Sequence, residues 1–441
     1  MPVDLVYKGK AVVGNSIREV TIIIDEGIIV DVRGPSFNVE ADRVLDYSLK
    51  EGVIALPGAI DIHVHLRGLN LSYKEDEYTG TRAAAKGGFT IVVDMPNTDP
   101  YINNRNSLLL KLEEFKRKAI VDYSLHVGIP QDDHSLNEII KLRDNYVGFK
   151  VYPHDLNKGI LSEVFEEAKK NKLLITVHAE HPELIKENNK PGYRWLTRTI
   201  EAELYALEKI VELSRATGNT RVHVTHVTNS YTLLLAKMYG FTTDTTMHYL
   251  LLNANTEKEK GALAKVNPPL RPEPMRLMLE RDFRNMLIDV IASDHAPHSI
   301  DEKLEPFSKA PPGIVGLETT IPLLLLMHHQ GWIDLVYLSK LVSETPAKIL
   351  GLSNVGRIAR GYIGNLTIIY INESFVIKPE EFESKAKYSP FEGIECKGKP
   401  IVTIVRGKIV YSHGEFHVDK GFGVNISTYK SLKPRKQKFM E

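Results

Sequence analysis

Eight short segments rich in β-branched and other apolar residues follow one another along the middle of this chain of 441 residues, and helical segments separate most of them. Such alternation indicates a parallel sheet, either open or closed into a barrel. Eight is the number of strands that closes a (β/α)₈ barrel. The predicted strands are residues 59–66, 90–95, 122–128, 148–152, 173–178, 221–226, 242–248 and 289–293.

The competing architecture is a doubly wound open sheet, whose dinucleotide-binding members carry Gly-x-Gly-x-x-Gly after the first strand. No such sequence follows residues 59–66. The helical segments are clearest at residues 107–118, 161–170 and 199–217. The sequence therefore favours an α/β fold of the TIM-barrel type.

Both ends of the chain have a different sequence pattern. Runs of β-branched residues separated by turn residues replace the alternation of strands and helices. The clearest runs are residues 19–24, 28–32, 365–371 and 401–411. They predict a small β-sandwich satellite domain built from residues 1–55 and 356–430, beside a barrel of residues 56–355. The basic residues that follow Tyr429 are predicted to form a solvated tail.

The composition excludes several classes of protein. Lys and Arg total 56 and Asp and Glu also total 56, whereas a general nucleic-acid binder is normally strongly basic. No apolar run approaches the ~18 residues of a membrane span, and the amino terminus lacks the apolar core of a signal peptide. The single cysteine, Cys396, excludes an intramolecular disulfide. These features predict a cytoplasmic protein.

The segment Asp61-Ile-His-Val-His-Leu-Arg is the most informative stretch of the sequence. Alternate residues of a strand share one face, so His63, His65 and Arg67 are predicted to point the same way. Two imidazoles about 6.6 Å apart along a strand can converge on one cation. The alternative interpretation is a pair of ordinary buried histidines.

Later strand ends carry further groups that bind metals. His178 and His226 end two of the predicted strands, and Asp294 follows the last. Active sites of such barrels lie at the carboxyl ends of the strands. Four histidines and a carboxylate at that edge are poorly explained by packing. His223, three residues before His226, faces the opposite side of an extended strand and is predicted to be structural.

Lys150 interrupts the apolar strand Gly148-Phe-Lys-Val-Tyr, where a buried ammonium is costly. One interpretation is a lysine whose amine extends to the rim of the barrel. The other is a neutral amine that has captured carbon dioxide as a carbamate. A carbamate has two oxygens and one negative charge, which suit it to bridging two divalent ions.

Ten segments run in order across about residues 57–350. They are Asp61-Ile-His-Val-His-Leu-Arg, Lys74-Glu-Asp, Gly87-Gly-Phe-Thr, Met95-Pro-Asn-Thr, Gly148-Phe-Lys-Val-Tyr, His178-Ala-Glu, His226-Val-Thr, Val266-Asn-Pro-Pro-Leu-Arg, Ser293-Asp-His-Ala-Pro-His and Gly313-Ile-Val-Gly-Leu-Glu-Thr. Together they closely resemble the amidohydrolase superfamily, and within it the dihydroorotase family of cyclic amidohydrolases. Met247-His-Tyr-Leu stands where that family often has Pro-His-His-Leu, so no role is assigned to His248.

The resemblance implies two zinc ions per chain at the carboxyl end of the barrel. The ligands that it implies are His63, His65 and Asp294 for the more buried ion, and His178 and His226 for the other. Carboxylated Lys150 would bridge the two ions. Some relatives use an aspartate a few residues beyond the lysine position, so Asp155 is the alternative bridging ligand.

The resemblance also implies reversible conversion of (S)-dihydroorotate into N-carbamoyl-L-aspartate, a step of de novo pyrimidine biosynthesis. Asp294 would accept the proton of the attacking water and return it to the departing ring nitrogen. The residues implied to bind the substrate are Arg67, Asn97, Asn267 and His298, and the backbone at Gly316 is expected to contact the ring. For Arg67 alone, a salt bridge at the barrel rim is the alternative.

Two rival functions stay open at this point. Allantoinases and hydantoinases share the metal core, but allantoin has no carboxylate, which would leave Arg67 without a purpose. A non-catalytic assembly protein that has lost its metals belongs to another class, and the presence of every ligand type argues against it. The expected partner is a small-molecule substrate. A homo-oligomer and a contact with aspartate transcarbamoylase rest on family analogy alone.

Overall fold

The computed structural model describes residues 2–432, and most of the basic tail lies outside the described residues. Seventeen strands in the described part of the chain form two sheets. In chain order they are β1 (Val3–Val13), β2 (Ser16–Asp25), β3 (Ile28–Arg33), β4 (Ala41–Asp46), β5 (Val53–Pro57), β6 (Ala59–Val64), β7 (Phe89–Asp94), β8 (Asp122–Gly128), β9 (Gly148–Val151), β10 (Leu174–Val177), β11 (Val222–Val224), β12 (Thr242–Thr245), β13 (Val290–Ile291), β14 (Leu366–Val376), β15 (Glu395–Val405), β16 (Lys408–Ser412) and β17 (Glu415–Phe416).

Thirteen α-helices accompany these strands within residues 2–432. They are α1 (Glu77–Lys86), α2 (Arg105–Lys118), α3 (Asp133–Ile140), α4 (Leu161–Asn171), α5 (Ile200–Ala216), α6 (Ser230–Met238), α7 (Met247–Leu251), α8 (Ala254–Lys260), α9 (Glu273–Arg284), α10 (Ile300–Leu304), α11 (Thr320–His329), α12 (Leu335–Ser339) and α13 (Thr345–Ile349). Helices α2, α4 and α5 confirm the three helical segments predicted from the sequence. None of the described helices has the length and apolar character needed to cross a membrane.

Strands β6 to β13 form an eight-stranded parallel sheet in which each strand pairs with the next along the chain. A parallel bridge between Val64 and His295 joins the end of the sheet to its beginning. The His65 amide donates to the His295 carbonyl across the same junction, with an N···O distance of 2.8 Å. The predicted barrel is therefore confirmed.

The seventh barrel strand is shorter than predicted. Strand β12 ends at Thr245, and His248 lies in helix α7 instead of at the end of a strand. The four threonines among residues 242–246 favour an extended backbone because they are β-branched. The following Met-His-Tyr-Leu-Leu contains no β-branched residue, so the chain turns into a helix there.

Strands from both chain ends build the second sheet, which confirms the predicted satellite of β structure. Its nine strands are continuous because β5, from the first part of the chain, pairs antiparallel with β14 from the last part. Strand β14 also contacts the barrel: the Ala59 amide donates to the Thr367 hydroxyl at 3.0 Å, and that hydroxyl donates to the Gly88 carbonyl at 2.6 Å. The satellite thereby fixes the start of β6, the strand that carries the paired histidines.

Candidate active site

A cavity with a volume of about 390 Å³ opens at the carboxyl ends of the barrel strands. That size suits a small-molecule ligand. Eight of the predicted site residues line it: His63, His65, Arg67, Asn97, His178, His226, Asn267 and Asp294. Lys150 and His298 are buried behind these residues.

His63, His65 and Asp294 are brought together as the sequence predicts, with one ligand atom from each within 4.8 Å of the others. The Nε2 atoms of His65 and His63 lie 3.0 and 3.4 Å from Oδ1 of Asp294. Nδ1 of His65 donates to Oδ1 of Asn97 at 2.5 Å. An amide oxygen can only accept, so this hydrogen bond places a proton on Nδ1 of His65 and leaves Nε2, which faces Asp294, as the atom of that ring available to a metal.

His178 and His226 lie beside this cluster. Their ring centroids are 4.5 Å apart, and the centroid of His226 is 5.3 Å from that of His63. Nε2 of His178 lies 2.6 Å from a carboxylate oxygen of Glu180 and donates to it, so Nδ1 carries the lone pair of that ring. Four imidazoles from three strand ends thus share one small volume.

The electrostatics of the cluster suit a divalent metal. Burial lowers the pKa of His63 and of His226 well below the usual value, so both rings are neutral and can offer a lone pair. Burial acts to raise the pKa of Asp294, but the close contact with His65 and the nearby His248 and Lys150 together outweigh it, and the pKa is lowered. The buried Nδ1 atoms of His63 and His226 have no hydrogen-bond partner in the part of the chain that the structure describes. Neutral imidazoles with an ionised carboxylate are ligands that zinc prefers, so these residues fit the implied metal.

Lys150 does not extend to the barrel rim, since none of its surface is exposed. Its Nζ contacts the hydroxyl of Thr225 at 3.1 Å. Burial lowers the pKa of the Lys150 amine to about 8. The amine is therefore neutral more often than that of a surface lysine, and only a neutral amine reacts with carbon dioxide.

Asp155, the alternative bridging ligand, is not brought into the cluster. One of its oxygens accepts a hydrogen bond from the Tyr152 amide at 2.9 Å, and the other lies 2.7 Å from Nζ of Lys158. These contacts stabilise the single turn Pro153–Asp155 that follows β9. The carboxylate lies outside the wall of the cavity.

Arg67 lines the cavity, but not because it shares a strand face with His63 and His65, as strand alternation predicted. Strand β6 ends at Val64, and the backbone at Arg67 is left-handed, with φ of 56°. The guanidinium donates through Nε to the Pro297 carbonyl at 3.1 Å, and its Nη2 lies 3.2 Å from Nε2 of His298. A turn after the strand, rather than the strand itself, therefore directs this side chain.

The other predicted substrate residues are held by neighbouring groups. His298 lies behind Arg67, and its Nδ1 is 3.2 Å from Nζ of Lys74. Burial lowers the pKa of His298 far below its usual value, so its ring is neutral. Oδ1 of Asn267 accepts from Arg194. The amide of Gly316, expected to contact the substrate ring, donates to Nδ1 of His295 at 3.3 Å.

Three buried residues that the sequence analysis left without a role support the histidine ligands. Glu180 binds His178 and is itself held by Arg198, whose Nε donates at 3.0 Å. Asp244 accepts from the His226 amide at 2.6 Å and lies 2.8 Å from Nε2 of His223. His223 is therefore structural, as predicted, and it acts through Asp244. Glu180 had a signal in the sequence, because it lies two residues beyond His178, whereas Asp244 had none.

The family model of the amidohydrolases, described as "Amidohydrolase family", matches residues 54–410. The chain therefore belongs to the amidohydrolase family, and its site is that of a metal-dependent hydrolase. Among solved structures it is similar to L-hydantoinase (dihydropyrimidinase) from Arthrobacter aurescens, with a TM-score of 0.89, 28% identity, and coverage of 96% of this chain and 99% of that one. Dihydropyrimidinase from Brevibacillus agri has a TM-score of 0.86 at 24% identity, covering 97% and 98% of the two chains, and shows the fold alone.

Two curated relatives of similar length are both named dihydroorotase. The dihydroorotase of Methanothermobacter thermautotrophicus is 36% identical, with coverage of 90% of this chain and 92% of that protein. The dihydroorotase of Saccharolobus solfataricus is also 36% identical, with coverage of 95% and 98%. The resemblance found in the short motifs thus extends over nearly the whole chain.

Proposed function

We propose that this chain is a dihydroorotase, which interconverts (S)-dihydroorotate and N-carbamoyl-L-aspartate in the de novo synthesis of pyrimidines. The observation that carries the proposal is the placement of Arg67 in the wall of the cavity that His63 and Asp294 also line. A ring that bears a carboxylate can present its amide to the histidine cluster and its carboxylate to the guanidinium. The curated dihydroorotase relatives support the same assignment.

Arg67 and Asn97 supply the donors that a carboxylate needs. Within residues 2–432, Nη1 of Arg67 has no hydrogen-bond partner, whereas Nε and Nη2 are fixed by Pro297 and His298. The guanidinium is therefore held in place with one nitrogen available to a ligand. Oδ1 of Asn97 is used by His65, which leaves the amide nitrogen of Asn97 as a second donor.

The metal complement that we propose is two zinc ions. His63, His65 and Asp294 would hold one ion, His178 and His226 would hold the other, and carboxylated Lys150 would supply a ligand to both. Bound divalent ions supply Lewis-acid polarisation of the ring carbonyl and lower the pKa of a water molecule toward neutrality.

Asp294 is the group that moves the proton. Burial acts to raise its pKa, but His65, His248 and Lys150 together lower it, so the carboxylate is ionised at neutral pH and can accept a proton from the attacking water. The protonated carboxyl of Asp294 then returns the proton to the departing ring nitrogen. Ring closure runs in reverse and starts from the protonated carboxyl.

A hydantoinase is the second candidate, because the solved structures named above share this fold. A substrate without a carboxylate leaves the buried guanidinium of Arg67 without an anionic partner. The test is an assay of dihydroorotate, allantoin and hydantoin side by side on one preparation. A higher kcat/KM for hydantoin than for dihydroorotate would overturn the proposed function.

The metal content gives a first prediction. The purified chain, loaded with zinc and desalted, is expected to hold close to two equivalents, because five side chains and one bridge serve two open sites. Metal analysis by mass spectrometry against protein concentration checks it. A stoichiometry that stays at one equivalent after loading would contradict the binuclear site.

A second prediction separates the substrate from the chemistry. Replacement of Arg67 by Lys keeps the charge but loses the planar fork, so kcat/KM for dihydroorotate is expected to fall. Loss of one charge-assisted pair is worth ~1.5–3 kcal/mol, or roughly ten- to two-hundredfold. Metal content is expected to stay normal, because Arg67 is not a ligand.

The control for this prediction is dihydrouracil, which is dihydroorotate without the carboxylate. Arg67→Met is expected to lose much less activity on dihydrouracil than on dihydroorotate. An equal loss on both compounds would make the arginine structural and would remove the main argument for the substrate.

The remaining sequence-based predictions are not needed for this proposal and stay predictions. They are the domain boundaries after residues 55 and 355, the cytoplasmic location, a homo-oligomer and the contact with aspartate transcarbamoylase.

A further inference from the structure

Three consecutive residues shortly after the end of β6, Arg67 to Leu69, have positive φ angles. The φ angles are 56° at Arg67, 65° at Gly68 and 50° at Leu69. Only glycine adopts this conformation readily, and a non-glycine residue held there costs about 1 kcal/mol or more. The turn that aims the Arg67 guanidinium is therefore maintained by contacts from outside the segment.

A buried lysine from helix α2 supplies one of those contacts. Nζ of Lys111 donates to the Arg67 carbonyl at 2.7 Å. The same nitrogen lies 2.8 Å from Oε1 of Glu77 and 3.0 Å from Oδ2 of Asp94. The ammonium group thus donates to the Arg67 carbonyl and to Glu77 and forms an ion pair with Asp94, and the side chains of all three charged residues are 0% exposed.

The same network binds the other side of the arginine. Oδ1 of Asp94 accepts from the Leu66 amide at 2.7 Å. Asp94 therefore holds the Leu66 amide, and Lys111 holds the carbonyl of Arg67 itself. Glu77 fits closely against Gly68, where an added Cβ would meet Oε1 of Glu77 at 2.0 Å. The contacts define the backbone conformation on both sides of Arg67.

The position of Lys111 on its helix is unusual for a lysine. Residues Leu108, Lys111 and Phe115 form the buried face of α2, whereas Leu109 and Leu110 are 41% and 53% exposed. A leucine at position 111 would satisfy ordinary packing of a helix against a barrel. Burying a lysine there is costly unless its charge is balanced, and here two carboxylates and a backbone carbonyl surround the ammonium group.

We propose that Lys111 is a positioning residue that sets substrate specificity, because it fixes the turn that directs Arg67 toward the substrate carboxylate. The inference rests on the proposed function, in which Arg67 binds that carboxylate. Lys111 itself lies outside the wall of the cavity and makes no contact with the substrate.

A double-mutant cycle tests this inference. Lys111→Met is expected to lower kcat/KM for dihydroorotate by about ten- to a hundredfold, the size of effect that misplacing a binding group produces. Zinc content is expected to remain that of the wild type. Combining Lys111→Met with Arg67→Met is expected to cost no more than Arg67→Met alone, because the lysine acts through the arginine. Additive losses in the double variant would overturn the proposal.

Two further variants control for the loss of a positive charge near Glu77 and for a failure of Lys111→Met to fold. Lys118→Met removes the other lysine near Glu77, at 3.6 Å, without touching the turn, and is expected to keep wild-type kinetics. Lys111→Met leaves two buried carboxylates without their cation, and this can prevent folding. Lys111→Met with Glu77→Gln removes one of those charges, and the cycle is repeated in that background.

A structure of the variant distinguishes failure of this inference from failure of the proposed function. If the wild-type protein has no activity on dihydroorotate, the proposed function is refuted, but the positioning role of Lys111 is not. Whether or not dihydroorotate is the substrate, we expect a crystal structure of Lys111→Met to show the Arg67 backbone outside the left-handed region. The guanidinium is expected to be displaced from the cavity. The same result is expected for Lys111→Met combined with Glu77→Gln. An unchanged turn would overturn the positioning role, whatever the substrate.

Discussion

Replacement of Lys150 by alanine is expected to reduce turnover of dihydroorotate by at least about a thousandfold, which corresponds to ~4 kcal/mol of transition-state stabilisation. The physical reason is loss of the proposed bridge between the two ions, so zinc content is also expected to fall. The vacated space is enclosed, because Lys150 is fully buried. Acetate or propionate is therefore expected to restore part of the activity by supplying a carboxylate in the same place.

The matched control is Asp155→Asn. Its carboxylate is bound to the Tyr152 amide and to Lys158, outside the cluster, so this variant is expected to keep its zinc and its activity. The carbamate itself is checked by ¹³C NMR after exchange with labelled bicarbonate, with Lys150→Ala as the blank. Wild-type activity and zinc content in Lys150→Ala, with loss of both in Asp155→Asn, would transfer the bridging role to Asp155.

Asp294→Asn is expected to lower the rate in both directions by about a hundred- to ten-thousandfold, the range for loss of a general acid–base. In the wild-type protein the two directions are expected to differ in pH dependence. The pKa of Asp294 is lowered, so ring opening, which needs the ionised carboxylate, rises as pH rises through that pKa and then levels off. Ring closure needs the protonated carboxyl and falls over the same interval.

Initial rates with dihydroorotate and with N-carbamoyl-aspartate, measured across pH at saturating zinc, check this prediction. Asp289→Asn is the matched control, since Asp289 lies just before the same strand, at its amino end, where it binds Lys237 and the Thr243 amide. It is expected to leave both profiles unchanged. Rates that increase together with pH in both directions would exclude Asp294 as the proton carrier.

The local pattern of the sequence was sufficient for the barrel and for most of the cavity wall. Most of the barrel strands are short apolar runs, and residues capable of catalysis or metal binding follow several of them directly, as His178 and Asp294 do. Because parallel strands of a barrel end at the same edge, residues far apart in the chain become neighbours once the strand ends are known. The predicted ends of the strands were less accurate. The seventh strand was predicted to extend to His248, but this residue lies in a helix.

The sequence by itself determined most of the side chains that meet at the carboxyl edge of the barrel, because they lie at or just after the ends of predicted strands. Only the tertiary structure decided how those side chains are held. Asp244 beneath His226 and Lys111 beneath Arg67 come from segments 18 and 44 residues away. Each binds the site residue through a backbone amide or carbonyl, which every residue has, so no residue type in the sequence marks these two contacts. A buried charge needs its counter-charge and its hydrogen bonds within about 3 Å, and that proximity exists only after the chain has folded.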